Sequence, residues 1–227
     1  MPVSPDGIVL WQHGVFVLNY TLVFTWIVMA LLTLGSWLIT RRLRSDARVS
    51  KWQNLLEAIV SGMEKQLKGI TRRETVRFMP FVGTLFLFIG VSNVLSVVPG
   101  FHTPTGSLST TAALAACVFF AVPLYGISET GFLKYLRNYI QPTFFMLPFN
   151  IMGEFSRTLA LAVRLFGNVM SGNMIAAILL IIAPIIFPVL MHVLGLLTGV
   201  VQAYIFAILA AVYIGAGIQA QEERKET

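Results

Sequence analysis

From Gly7 to Thr40 the sequence contains no Asp, Glu, Lys or Arg, and the same holds from Phe78 to Ser128. Between Gly131 and Gln221 the charged residues are only Lys134, Arg137, Glu154, Arg157 and Arg164. A helix needs about 20 apolar residues to cross a hydrocarbon core about 30 Å thick, and several such stretches are present. Charged residues make up 11% of the chain, against about 25% in a soluble domain. Water is the wrong solvent for most of this sequence. The predicted fold is an all-α polytopic membrane protein in a single membrane domain, residues 1–227.

The first span is predicted over residues 15–40, stopped by "RRLR". In "KWQNLLEAIVSGMEKQLKGI", Trp52, Leu55, Leu56, Ile59, Val60, Met63 and Leu67 recur at helical spacing. That makes one apolar face on a segment too polar to cross, so residues 51–70 are expected to lie as an amphipathic helix on the cytoplasmic surface. Spans follow over 79–98 and 110–127. Two long apolar segments, 143–183 with Arg164 and 188–218 with Gln202, close the membrane region. Each is longer than one perpendicular crossing needs, which implies strong tilt.

The net charge of +6 has a topological reading. Ten of the 16 basic residues lie between Arg41 and Arg77, directly after the first span. Short loops rich in Lys and Arg stay on the cytoplasmic side, beside anionic lipid heads. Lys134 and Arg137 mark a second inner loop, whereas "GFHTPTGSLST" carries neither Lys nor Arg and suits the outside. Five crossings result, with the N-terminus outside and the C-terminus cytoplasmic. No nucleic-acid partner is expected. The opening "MPVSPDGIVLWQHG" lacks the marks of a cleaved signal peptide, so the first span is expected to persist. The single cysteine, Cys117, reads as a small hydrophobe.

The long segment around "RLFGNVMSGN" carries a polar row. Glu154, Arg157, Leu161, Arg164, Asn168 and Ser171 are separated by 3, 4, 3, 4 and 3 residues, and Asn150 extends the row by a turn. On a helix this spacing lines one face, winding slowly. Asn150, Asn168 and Ser171 each have a plain alternative, hydrogen bonding a neighbouring helix for about 0.6–2 kcal/mol. Glu154 and Arg157 could pair with each other near the inner interface, and Arg157 could instead snorkel.

Arg164 is harder to dismiss. It lies seven residues deeper than Arg157, about 10 Å along the axis. An arginine near the bilayer centre costs about 2.5–3.5 kcal/mol on insertion scales, and it cannot shed its proton to escape. No acidic residue lies within one turn of it in sequence. It should therefore face a water-filled cavity or an acidic partner, on this chain or another.

The last segment has its own row, His192, Gly195, Gly199 and Gln202, spaced 3, 4 and 3. Gly195 and Gly199 form a small-xxx-small pair that lets another helix come close. Gln202 offers a donor and an acceptor at mid-membrane depth. His192 could relay protons or sit at a helix end or interface.

"RLFGN" inside a membrane helix, followed downstream by "VQAYIFAILAAVYIG", resembles subunit a of the F-type ATP synthase membrane sector. The upstream "YIQPTFFMLPFNIMGEFSRTLALAV" is similar to the same family, and the resemblance is strongest over about Tyr139 to Gly215. It implies a non-catalytic stator subunit of a bacterial inner membrane. Such a subunit holds two offset half-channels against a rotating ring of subunit c, with subunit b as another stator partner, and translocates H⁺ or Na⁺ without a cofactor. Arg164 then corresponds to the family's essential arginine, Asn168 to the asparagine one turn later, and Gln202 to the glutamine of the last helix. Three positions depart from the pattern. Asn173 stands where many members are acidic, Ala216 where several have Glu, and Gly195 where many bacterial members have a histidine. Glu154 remains a candidate on the inner side. The outer path would be mainly water and amides, which suits Na⁺ as readily as H⁺.

Two other classes fit the sequence less well. A stand-alone secondary transporter or channel would often show paired repeats and broken helices, and no repeat of fixed period is present. An intramembrane enzyme needs a nucleophile with its base, or a metal cluster. His13, His102 and His192 are scattered, and neither G-x-S-x-G nor H-E-x-x-H occurs. No catalytic or metal site is expected, and without a phosphate-binding glycine loop any nucleotide chemistry belongs to other subunits.

Overall fold

Two antiparallel strands, β1 (Val9–His13) and β2 (Phe16–Asn19), lead directly into α1 (Tyr20–Thr40). There follow α2 (Met79–Leu95), a single 3-10 turn (Pro104–Gly106), α3 (Leu108–Thr130), α4 (Met146–Ile182) and α5 (Ile186–Glu222). The computed structural model describes residues 9–13, 16–41, 54, 57–58, 61–62, 64–65, 77–98, 100–131, 146–182 and 186–222. Four of the helices, α1, α3, α4 and α5, contain segments long and apolar enough to cross a membrane, and α2 is a shorter apolar helix. Apart from the short N-terminal hairpin, the described residues form an all-α, multi-pass membrane protein.

The hairpin is a departure from the sequence reading. Helix begins at Tyr20, not at 15, because residues 16–19 pair with 9–13. "VLWQH" and "FVLN" are rich in aromatic and β-branched residues, and a short apolar run cannot be assigned to helix or strand by periodicity alone. Of the surface segment 51–70, Asn54, Glu57, Ala58, Ser61, Gly62, Glu64 and Lys65 are helical, all exposed except half-buried Glu64. The rest of that segment, including its apolar positions, lies outside the described residues.

The 17 residues of α2 reach about 25 Å. Its C-terminal end then tightens: the amides of Ser96, Val97 and Val98 donate to the carbonyls of Asn93, Val94 and Leu95 at 3.0–3.3 Å, the i→i−3 pattern of a 3-10 turn. Gly100 turns the chain with φ +90°, a conformation that disfavours any side chain. At the C-terminal end of α3, Gly131 does the same with φ +83° and donates to the Ile127 carbonyl at 2.8 Å.

The core is organised around α5. Its inner face carries Ala203, Ala207, Ala210 and Ala211, with Phe206 and Ile214, all fully buried. α2 packs on this face, α3 packs on α4 and α5, and α4 packs on α5. Small residues matter here because lipid tails are as apolar as leucine, so helices associate through close packing rather than by escaping water. Two contacts show how close the approach is. A Cβ at Gly199 would stand 2.8 Å from Asn93 Cβ, and one at Gly217 would stand 2.9 Å from Val122 Cγ1.

α1 sits at the margin, against α2 and the 3-10 turn. Val28 is the one fully buried apolar residue among the described residues of α1. Phe24 meets Phe101 edge-on at 4.7 Å, and His102 stacks nearby at 6.1 Å from both Tyr20 and Phe24. The outward surfaces of the bundle carry large apolar side chains such as Trp26, Trp37, Phe120, Leu124 and Val193, as a lipid-facing surface should.

Phe206 is 0% exposed and Phe120 is 62% exposed. Phe206→Ala should cost about 3–5 kcal/mol through lost packing and a residual cavity, while Phe120→Ala should stay within about 0.5 kcal/mol. Thermal denaturation of the detergent-solubilised chain checks both; equal losses would contradict this account of the core.

Candidate functional site

The polar row of α4 does not point in one direction. Residues seven apart differ by only about 20° around a helix, so the row resolves into two lines about 60° apart. Arg157, Arg164 and Ser171 form the outer line, and all three are exposed. Glu154, Leu161 and Asn168 form the inner line, in which Leu161 is 1% exposed and the other two are half-buried. Asn150 continues the outer line and is half-buried. Beyond the inner line lie Leu165 and Ala162, both buried against the bundle. Arg164 therefore leaves α4 at the rim of its buried face and is directed away from the chain's own core.

No described residue forms an ion pair with Arg164. Glu154 and Arg157, three residues apart, do not pair with each other either. The Arg157 guanidinium lies instead over the Tyr213 ring, 5.7 Å from its centroid, within the range of a cation–π contact.

That contact sets a register. α4 and α5 run in opposite directions and rise equally per residue, so equal steps from Arg157 and Tyr213 stay level. Seven residues from that contact, Arg164 comes level with Phe206. Eleven residues from it, Asn168 comes level with Gln202. Gln202 is 6% exposed, and its Nε2 has no hydrogen-bond partner among the described residues. A buried amide donor without an acceptor loses roughly 1–3 kcal/mol, and a bound water is the usual remedy. Arg164, Asn168 and Gln202 thus share about one turn of height, with an unmet donor among them.

The other predicted residues divide. Ser171 Oγ donates to the Asn168 carbonyl of its own helix at 3.2 Å, which favours the plain structural reading. Asn173 is exposed toward the C-terminal end of α4, and its Nδ2 lies 3.8 Å from where a Cβ on Gly106 would be. It is therefore beside the 3-10 turn, not beside Arg164. His192 is exposed near the start of α5, ten residues before Gln202, and the structure does not bring it to the arginine.

Sequence reasoning missed a buried polar tie around the 3-10 turn. Asn93 on α2 donates from Nδ2 to the Gly199 carbonyl at 3.0 Å, and its Oδ1 accepts from Thr105 Oγ1 at 3.3 Å. Ser92, Thr105, Ser107 and Thr111 are also fully buried at the same end of the bundle. The signal was available: "VSNVLS" places an amide inside an uncharged span, where a polar side chain needs a partner.

Comparison with known proteins adds a family match and three relatives. The family model for the ATP synthase A chain matches residues 22–215. ATP synthase subunit a 2 of Acaryochloris marina is 58% identical over 227 residues, covering 100% of this chain and 97% of that protein. ATP synthase subunit a of Albidiferax ferrireducens is 57% identical over 226 residues, covering 100% and 98%, and that of Nitrosospira multiformis is 57% identical over 216 residues, covering 95% and 86%.

If Tyr213 holds Arg157 through its ring face, a double-mutant cycle of Arg157→Gln with Tyr213→Leu should give a coupling of about 0.5–1 kcal/mol. The same cycle with Tyr213→Phe, which keeps the ring, should give almost none. Stability in detergent is the measurement.

Proposed function

The chain belongs to the ATP synthase subunit a family, and from that premise we propose that it is the stator ion channel of the rotary membrane sector. In this reading it faces a ring of subunit c, is braced by subunit b, and carries H⁺ or Na⁺ to and from the ring carboxylates through two half-channels. The observation that carries the proposal is the position of Arg164, exposed at the rim of α4 and without an ion-pair partner among the described residues. A guanidinium left against acyl chains costs several kcal/mol, so an outward arginine needs an anion from a neighbouring surface.

A ring carboxylate meets that need transiently. A positive charge close by favours its ionised form, so a carboxyl group arriving loaded gives up its ion to the exit path. At an effective dielectric of about 20, opposite charges 4 Å apart attract by about 4 kcal/mol. That is enough to draw the carboxylate in, and small enough for the ion motive force to drive it onward, since one charge crossing 100 mV is worth about 2.3 kcal/mol. The same fixed charge repels a free cation, which keeps the two half-channels from short-circuiting. Asn168 and Gln202 hold water or orient the arginine, Asn173 lines the outer mouth, and Glu154 serves the inner side. Asn150, Ser171 and His192 border the path. The proposed orientation is N-terminus outside and C-terminus cytoplasmic, in a bacterial plasma membrane.

Arg164→Ala in the assembled complex should abolish ATP-driven ion transport, measured in reconstituted vesicles, while subunits still co-purify; full coupling in that variant refutes the role. Asn173→Ala should be much milder, because water can replace an exposed amide, and a loss as complete as that of Arg164→Ala would count against this assignment. Varying Na⁺ and pH independently in the same vesicles identifies the ion: transport that depends on Na⁺ at constant pH assigns Na⁺, and transport indifferent to it assigns H⁺.

A further inference from the structure

Asn93 has one side chain and three elements to hold. It is 4% exposed. Its Nδ2 reaches the Gly199 carbonyl on α5 at 3.0 Å, and its Oδ1 takes the Thr105 hydroxyl of the 3-10 turn at 3.3 Å. The amide orientation is dictated by its partners, since a carbonyl can only accept. α5 runs unbroken through position 199, so the Gly199 oxygen serves its own helix with one lone pair and Asn93 with the other.

The fit is steric as well as polar. A Cβ on residue 199 would stand 2.8 Å from both Cβ and Cγ of Asn93, and Cβ cannot swing aside. One turn further along α5, Gly90 approaches Ala203, whose Cβ lies 3.9 Å from where a Gly90 Cβ would be. The 3-10 turn then carries the connection across to α4, where Val169 Cγ1 lies 3.4 Å from a Cβ position on Gly106. Asn93 thus joins α5 to α4 by way of the turn, on the outer side of Arg164. The Arg157–Tyr213 contact joins the same two helices on the inner side. Arg164, Asn168 and Gln202 lie between these ties, and Gln202 is only three residues from Gly199.

We propose that Asn93 is a positioning residue of the ion path, which sets the height of Gln202 on α5 against Asn168 and Arg164 on α4 without itself touching the ion. The inference rests on the stator-channel reading above. Loss of the tie lets α5 slide or rotate by a fraction of a turn. At a reacting centre a misplacement of about 1 Å costs as much as about a hundredfold in rate.

The test uses the whole complex reconstituted in vesicles, with coupled transport expressed per assembled complex and followed against the outer concentration of the translocated ion. Asn93→Ala and Asn93→Asp should each lower the maximal rate at least about tenfold with the half-saturating ion concentration changed by less than about threefold, the mark of lost geometry rather than lost binding. Gly199→Ala should do the same from the other side of the contact, although alanine is the better helix former. Thr105→Val, removing the longer of the two bonds, should cost less. A raised half-saturating concentration at unchanged maximal rate would overturn the proposal by making Asn93 a ligand of the ion. So would a normal rate per assembled complex in Asn93→Ala and Gly199→Ala, even at reduced yield, which would make the contact one for folding alone. Arg164→Ala run in parallel separates the two readings. If that variant stays coupled, the channel function fails; if it is inactive while Asn93→Ala and Gly199→Ala are normal, only the positioning role fails.

Discussion

In a hydrocarbon solvent helices gain little by hiding apolar surface from one another, so this chain is held by how closely its backbones can approach. The constraint is met on α5, where Ala203, Ala207, Ala210 and Ala211 form a nearly smooth face and Gly199 and Gly217 admit their neighbours to van der Waals contact or nearer. α2 and α3 lie on that face, and α4 packs beside it. The larger side chains are displaced outward, where the surrounding medium accepts them as readily as a core would.

Close packing also allows a few polar contacts to decide the register of long helices. α4 and α5 have 37 residues each, and an apolar interface of that length has little to stop one from sliding past the other. Asn93 at one level and Arg157 over Tyr213 at another supply the stops. Between them Leu161, Leu165 and Phe206 exclude everything else. The rim of α4 at that height is left with a charge that the chain's own described residues do not neutralise. Under the proposed function, a carboxylate from a neighbouring subunit meets that charge.

The helical architecture was legible in the sequence because it follows from solvent alone. Long apolar runs with few charges become helices, as over α1 to α5. The exception is instructive. Residues 9–13 and 16–19 are apolar enough to have joined the first span, yet they pair as β1 and β2, since a short run rich in aromatic and β-branched residues satisfies either geometry. The polar row of α4 was legible as spacing, but its division was not. Arg164 and Leu161 are three residues apart and appear as members of one stripe; one proves exposed and the other buried. A stripe about 60° wide straddles the edge of a packed face, and only the neighbouring helices locate that edge.

The sequence by itself determined the solvent, the helices and the presence of a permanent charge deep within one of them, because each is a consequence of local composition and the free energy of transfer. It also determined the family, through "RLFGN" and the segment that follows downstream. Tertiary structure alone decided which residues meet. Tyr213 became the partner of Arg157 in place of Glu154, Asn93 found Gly199 across a sequence separation of 106 residues, and Asn173 and His192 were left away from the arginine. Such pairings depend on the angle and height at which rigid helices pack, and no local pattern records either quantity.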